Sequence, residues 1–336
     1  MTLVIWGAGA IGGTIGAYLV RAGYDVLLVD NATEHVAAIN TNGLKITGPI
    51  EEFTVQAKAS TPEDVEGTFE TIILATKAQH TQAATEALKP HLAENGYVLS
   101  AQNGLNELII QDIVGKERTI GSFVNFGADY HAPGEIFFGG RGAVVLGEID
   151  GSMTERLKKL HEIMLHFEPN AVMSDNLWGY LWGKEAYGAM LFVTALTNES
   201  IADALADRTY HNLYTAAARE ILAVAGKLGI QANGFNGFVP EAFMPNGDRS
   251  QIDESLAAMV AFNRKSAKSH SGIWRDLAIR KRRTEVVMYD TIVSEAKRLN
   301  VPIPFTQHWI NMIHEIEDGK REQSLANLDE LKASLT

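Results

Sequence analysis

The run Gly7-Ala8-Gly9-Ala10-Ile11-Gly12 has the spacing of a phosphate-cradling turn. It sits between the apolar segment Leu3-Val4-Ile5-Trp6 and a helical pattern of Ile15, Ala17, Tyr18 and Val20. Each glycine has its own task there: one permits the tight bend, one lets backbone N–H groups approach a pyrophosphate, and one lets the helix pack on the strand. The positive end of the helix then faces the phosphates. A second apolar strand, Val26-Leu27-Leu28-Val29, ends on Asp30. A carboxylate at that place accepts hydrogen bonds from the adenosine ribose hydroxyls and repels a 2′-phosphate, so NAD is expected in preference to NADP. Asn31, Thr33 and His35 follow closely and offer donors that a rearranged loop can turn toward a phosphate, and Asp30 can also simply open a turn.

Two further loops fall where ligands of an open α/β sheet bind, beyond the carboxyl ends of its strands. Thr76-Lys77 follows the strand pattern Thr71–Ala75, and Lys77 there can reach a cofactor phosphate or ribose. Gln102-Asn103-Gly104 follows Val98–Ser100, and the Asn103 amide offers a donor and an acceptor to a nicotinamide ribose or a substrate oxygen. Either pair also reads as residues that shape a turn. Lys184, in Trp182-Gly183-Lys184-Glu185, has Tyr180, Leu181, Tyr187, Met190 and Leu191 around it. Burial in such company lowers an ammonium's pKa, and a lysine so tuned gives a proton to a carbonyl oxygen as hydride arrives, or takes one from an alcohol. The plain alternative is a surface lysine with a buried stem. Glu285, on a separate helical stretch, can orient Lys184 or bind a substrate hydroxyl, or pair with Lys281 four residues earlier. His270-Ser271 can bind substrate or cap a helix that begins near Ile273. His161 and His166 lie five residues apart, on different faces of a helix, and no metal site is expected.

To hold these groups, the chain from Thr2 to about Asp150 alternates strand and helix. Strands are expected at 3–6, 25–29, 71–75, 96–100 and 119–123, with helices at 11–22, 80–94 and 105–113, a turn at Asn42-Gly43, and a hairpin-like stretch from Gly134 to Glu148 ending the sheet. This is the doubly wound βαβ arrangement. Beyond Ser152 strand signals vanish, and helical periodicities cover 153–167, 175–199, 207–229, 250–264, 273–299 and 304–317. The expected division is a dinucleotide-binding domain over 1–170 and a helical substrate domain over 171–336. The face of Phe305, Trp309, Ile310, Ile313 and Ile316 reads either as core or as the surface of a homodimer.

Composition narrows the partners. With 336 residues, 46% hydrophobic and 21% charged, the chain reads as globular; its net charge of −12 disfavours nucleic acid and anionic membranes and leaves small molecules. The basic run Arg280 to Arg283 fits a solvated helix face better than a nucleic-acid patch. With no cysteine, thiolate nucleophiles, disulfides and cysteine-ligated metals are excluded. No signal peptide or membrane span is evident, which predicts a cytoplasmic location.

Gly7-x-Gly9-x-x-Gly12, Leu74-x-Thr76-Lys77, Gln102-Asn103-Gly104, Trp182-x-Lys184, Ser271 and Thr284-Glu285 occur in the order and approximate spacing of the ketopantoate reductase family, which the chain resembles over nearly its whole length. Gly127-Ala128 and Pro133-Gly134 add to the likeness. The resemblance implies a Rossmann domain joined to a helical domain of the 6-phosphogluconate dehydrogenase type, with a ketone reduced at the cleft between them. It implies Lys184 as general acid, Glu285 and Ser271 on the substrate side, and Asn103 at the nicotinamide end. Three departures qualify it. Members that make pantoate use NADPH, usually with a basic residue where Asp30 stands. They carry asparagines one and two turns after the lysine, where this chain has Gly188 and Phe192, which implies a substrate pocket reshaped for something bulkier or more apolar, such as an aromatic group. The Ser271-to-Glu285 segment is about two residues longer than the family's, which makes His270 and Arg275 alternative substrate contacts. The expected activity is NAD-dependent interconversion of a secondary alcohol, in a hydroxy acid or related metabolite, with its ketone. The alternative is an NADPH-dependent 2-dehydropantoate 2-reductase.

Overall fold

The computed structural model describes residues 2–265 and 269–335 and divides into two compact units, residues 1–177 and 178–336. In the first unit, β1 (Leu3–Trp6), α1 (Ala10–Arg21), β2 (Val26–Val29), α2 (Thr33–Asn42), β3 (Leu44–Thr47), β4 (Phe53–Val55), β5 (Lys58–Ser60) and β6 (Phe69–Leu74) come first. They are followed by α3 (Thr81–Leu88), β7 (Leu92–Ser100), α4 (Glu107–Val114), β8 (Thr119–Ala132), β9 (Glu135–Glu148), α5 (Glu155–Leu165) and β10 (Val172–Met173). The sheet order is β4-β3-β9-β8-β7-β6-β1-β2-β5, with β10 on β9. Strands β5, β2, β1, β6, β7 and β8 run parallel, in the doubly wound order of a dinucleotide-binding sheet.

The strands are apolar on both faces because both are covered. Leu3, Ile5, Ile73 and Leu99 point to a core that takes in Ile15 and Tyr18 of α1 and Leu157 and Leu160 of α5. Val4, Trp6, Ile72, Leu74 and Val98 point the other way, onto Leu88 of α3 and Ile110 of α4. Alternation along each strand thus serves two cores rather than a core and solvent, as parallel sheets require.

Several expectations are corrected. The helix expected over 80–94 stops at Leu88; a 3₁₀ turn containing Pro90 follows, and β7 begins at Leu92. The hairpin does not end the sheet. β8 and β9 are both fourteen residues long, and β3 pairs with β9 beyond them through Lys45–Thr47. The β3–β4 pair and β5 gave too short a pattern to read. Residues 171–177, assigned above to the second domain, fall in the first unit, where Val172 and Met173 pair with Val145 and Leu146.

In the second unit, α6 (Leu177–Thr194) starts at the last residue of the first unit and leads to α7 (Ile201–Ala206), α8 (His211–Lys227), α9 (Arg249–Lys265), α10 (Gly272–Trp274), α11 (Asp290–Leu299), α12 (Pro304–Glu317) and α13 (Leu325–Ala333). The helix expected over 273–299 is broken. A π turn over Arg275–Ile279 follows α10, Lys281 has φ 49°, and a 3₁₀ turn over Val286–Tyr289 precedes α11. Phe305, Trp309, Ile310 and Ile313 are buried within this unit, so the α12 face is core. Among the described residues no helix is long and apolar enough to cross a membrane.

Gly12 shows how tightly the first unit is closed: a Cβ there would lie 2.1 Å from the Gly7 carbonyl oxygen and 2.8 Å from Ile5 Cγ2. Neither atom has room to yield. Gly12→Ala is expected to cost about 1–3 kcal/mol and to lower the melting temperature; calorimetry showing no loss would contradict this account of the close approach.

Candidate active site

The glycine turn is built by backbone. Gly7 adopts φ 101°, and the N–H groups of Gly7 and Ala8 both donate to the Val29 carbonyl, at 2.8 and 3.1 Å. A Cβ on Gly7 would stand 2.7 Å from the Thr76 nitrogen, so the turn also presses on the loop after β6. Gly9 differs from both its partners: nothing lies within 4 Å of where its Cβ would be. Its small size answers no need inside the protein and leaves space for a group outside it. Gly9 is the N-cap of α1, no side chain caps that end, and the first turn holds no acidic residue. Free N–H groups and a positive helix end are the chemistry that a pyrophosphate needs, and Gly9, Ala10 and Ile11 are the residues that could hold one.

Asp30 stands immediately after β2. Its Oδ1 accepts from the Ala32 N–H at 3.0 Å, so it does open a turn, while Oδ2 accepts no hydrogen bond among the described residues. His35 is not available to a 2′-phosphate: it is fully buried, with Nε2 3.0 Å from the Ala8 carbonyl and Nδ1 2.9 Å from the Gly134 nitrogen.

One amide joins the other two loops. Gln102 Nε2 donates to the Thr76 carbonyl (2.9 Å) and to the hydroxyls of Thr76 (3.2 Å) and Thr81 (2.9 Å). Thr81 in turn donates to Asn106 Oδ1 at 2.8 Å, and Asn106 Nδ2 to the Asn103 carbonyl at 2.6 Å. The structure thus brings Thr76, Lys77 and Asn103 to one edge, with Asn103 exposed and Lys77 partly so. Thr81 and Asn106 were missed in the sequence because neither belongs to a motif.

In the second unit, Gly183 explains the residue before Lys184. A Cβ there would meet the Asn233 carbonyl at 2.1 Å, and the Asn233 N–H donates to the Gly179 carbonyl at 2.8 Å. A loop therefore crosses α6 against its backbone, with Lys184 half-buried beside the crossing and Trp182 1% exposed. The Tyr289 hydroxyl donates to the Glu185 carbonyl at 2.7 Å and would lie 2.9 Å from a Cβ on Gly188. The turn after Glu285 is thereby held on the α6 turn that carries Lys184. Phe192 is not a substrate contact in this structure: it is 1% exposed, stacks on Trp309 at 5.2 Å and meets Tyr289 edge-on at 5.4 Å.

Glu285 lies on no helix, so the i, i+4 pairing with Lys281 has no helical basis. The preceding residues are fixed by Glu317, whose side chain is 1% exposed. Glu317 Oε1 accepts from both the N–H and the hydroxyl of Thr284 at 2.7 Å, and Oε2 accepts from Arg283 at 2.9 Å and lies 2.9 Å from His314 Nδ1. Burial pushes this carboxyl up, but the hydrogen bonds outweigh it and hold it below the ordinary value. Arg280 and Arg282 both pair with Asp276 at 2.9 Å, which occupies the basic run in ion pairs. Ser271 caps α10 by accepting from the Trp274 N–H at 3.1 Å, and the His270 ring lies 4.0 Å from that of Trp274. Arg275 opens the π turn, which takes more residues per turn than an α-helix. Among the described residues no three His, Cys, Asp or Glu side chains are grouped to hold a metal; His161 Nε2 lies 2.7 Å from the Ala171 carbonyl, and His166 packs on Tyr24.

A doubly wound sheet with this glycine turn, followed by a helical unit bearing Lys184, defines a nicotinamide-dependent oxidoreductase. Residues 3–151 match the family described as ketopantoate reductase PanE/ApbA, and residues 176–317 match ketopantoate reductase PanE/ApbA C terminal. The chain belongs to the ketopantoate reductase family, and acts on CH–OH donors or the corresponding ketones of small molecules. A 2-dehydropantoate 2-reductase from Pyrococcus abyssi is 36% identical over 187 residues, 55% of this chain and 60% of that one. Another, from Streptococcus pyogenes, is 24% identical over 94% of this chain and 98% of its own length. Among solved structures, a ketopantoate reductase from Ralstonia eutropha superposes with TM-score 0.79 at 26% identity, covering 95% of this chain and 99% of that one. A D-mandelate dehydrogenase with NADH and anilino(oxo)acetate gives 0.82 at 24% identity, with the same coverage of both chains.

Glu317 supplies a pH test. Its folded pKa lies below the ordinary 4.5, so its contribution to stability is complete above that value and disappears as pH falls through the lower, folded one. Glu317→Gln is expected to lower stability by about 1–3 kcal/mol at neutral pH and to flatten the acid limb of a stability–pH profile. Superimposable profiles for the two proteins would rule out the clamp.

Proposed function

We propose that this protein is an NAD-linked dehydrogenase that interconverts a hydroxy acid, or a related secondary alcohol, with its ketone. The observation that carries the reading is Asp30 at the carboxyl end of β2, with one carboxylate oxygen left for a ribose and no donor from His35 for a 2′-phosphate. The D-mandelate dehydrogenase of the same fold was solved with NADH, in keeping with it. Gly7 to Gly12 hold the pyrophosphate, Asp30 the adenosine ribose, and Thr76, Lys77 and Asn103 the remainder of the dinucleotide. The bound nicotinamide supplies the hydride acceptor or donor. Lys184 takes the alcohol proton as the C–H bond breaks, or returns it to the ketone oxygen in reverse. Glu285 orients Lys184 or a substrate hydroxyl, and Ser271, His270 and Arg275 lie on the loop and turn that lead to it.

A second reading, an NADPH-dependent 2-dehydropantoate 2-reductase, is favoured by the names of the relatives. The loss of the pantoate-holding asparagines at Gly188 and Phe192 argues against it.

Fluorescence titration separates the two. NADH is expected to bind at least about tenfold more tightly than NADPH, a difference of about 1.4 kcal/mol, and Asp30→Ala to erase that preference. Tighter NADPH binding by the unaltered protein would establish the second reading. Lys184→Ala is expected to reduce kcat/KM on the accepted hydroxy acid by about 10²–10⁴-fold with NADH affinity unchanged; retained turnover would remove Lys184 from the chemistry.

A further inference from the structure

We propose that His35 is a positioning residue for the cofactor, which fixes the Ala8–Gly9 peptide so that the Gly9 N–H faces the pyrophosphate. The proposal rests on the dinucleotide reading given above and deepens it at one residue outside the glycine motif.

The imidazole is fully buried between two backbone groups of opposite character. A backbone nitrogen can only donate, so the Gly134 N–H, at 2.9 Å, makes Nδ1 the acceptor. The proton must then sit on Nε2, which donates to the Ala8 carbonyl at 3.0 Å. The neighbours thus fix a neutral tautomer without any charged partner. Both contacts lie inside the first unit.

Ala8 stands between the first two glycines, and its own N–H is already given to Val29. A trans peptide points its carbonyl and the following N–H in opposite directions. With the Ala8 carbonyl held inward on His35, the Gly9 N–H is turned outward, toward the side where a Gly9 Cβ would meet nothing. The carbonyl's inward course is also visible at Gly13, where a Cβ would stand 2.5 Å from the same oxygen. Removing the imidazole leaves a buried carbonyl without that donor, and rotation of the peptide relieves it only by withdrawing the Gly9 N–H.

The other end of the ring is anchored as firmly. Gly134, at φ 74°, forms the β8–β9 turn, and its carbonyl accepts from Lys45 of β3 at 2.8 Å. His35 therefore ties the phosphate turn to α2, β3 and the hairpin, and the Tyr130 ring covers it at 5.1 Å.

The test uses side chains of different reach. A glutamine places its terminal amide near the level of Nε2 and can still donate to Ala8; an asparagine, one methylene shorter, places it near Nδ1 and cannot. His35→Asn and His35→Leu are expected to weaken NADH and ADP-ribose binding alike by about tenfold, the scale of one lost hydrogen bond, whereas His35→Gln stays within about threefold of the unaltered protein. The nicotinamide-free ligand assigns the loss to the pyrophosphate end. If His35→Leu does not fold, the Asn and Gln variants still decide. Equal affinity in both, with native circular dichroism, overturns the proposal, as does an equal loss in both. Failure of the unaltered protein to bind NADH, NADPH or ADP-ribose overturns the dinucleotide reading itself and this inference with it.

Discussion

The contact on which the first unit depends is the approach of α1 to the strands beneath it, backbone against backbone at Gly12 and Gly7. At Gly12 the only side chains in the contact are those of Ile5 and Ala75, on the strand side. The helix begins three residues beyond the bend at Gly7, and this short turn, with Gly9 in the open, gives the N-terminus of α1 an unobstructed outlook. A bulkier connection would satisfy the strand and the helix separately but tilt the helix axis away, and the dipole and free N–H groups would no longer converge on one point. The parallel order of the sheet does the rest. Because β2, β1, β6 and β7 all run the same way, the residues that leave them, Asp30, Gly7, Thr76 and Gln102, emerge on a single edge.

In the second unit the difficulty is opposite. Glu285 sits in irregular chain between a π turn and a 3₁₀ turn, with no helix or sheet to fix it. Its place is held from both sides by polar anchors: Glu317 takes the backbone and hydroxyl of Thr284, and the Tyr289 hydroxyl grips the Glu185 carbonyl on α6. Each anchor is buried, where a hydrogen bond is directional and an unpaired group is costly. Irregular backbone is tolerated there because its neighbours leave it one geometry.

This contrast explains what the sequence reveals and what it conceals. The glycine turn, Asp30, Thr76-Lys77 and Asn103 are legible because strand, turn and helix are consecutive, and local pattern fixes their edge. The strands β3 and β4 are not, since each is short: β3 acquires meaning only beside β9, some ninety residues on, and β4 only as the strand added to β3. His35 is hidden for the same reason: its partners are Ala8 and Gly134, 27 and 99 residues away. The 273–299 stretch has helical periodicity throughout, yet the chain passes through a π turn, the Arg282 N–H turns back onto the Asp276 carbonyl, and Lys281 takes a positive φ. The propensity that is overridden there is worth only tenths of a kilocalorie per residue.

Taken one at a time, Gly188 and Phe192 look like two changes in a pocket. In the structure they belong to one packing unit with Tyr289 and Trp309: the Phe192 ring lies on both aromatic neighbours, and the space a side chain at 188 would occupy belongs to the Tyr289 hydroxyl. An asparagine at 188 would displace that hydroxyl from the Glu185 carbonyl, and one at 192 would bury an amide against the Tyr289 and Trp309 side chains. The two positions are therefore coupled through Tyr289, and restoring either alone is destabilising before any question of substrate arises.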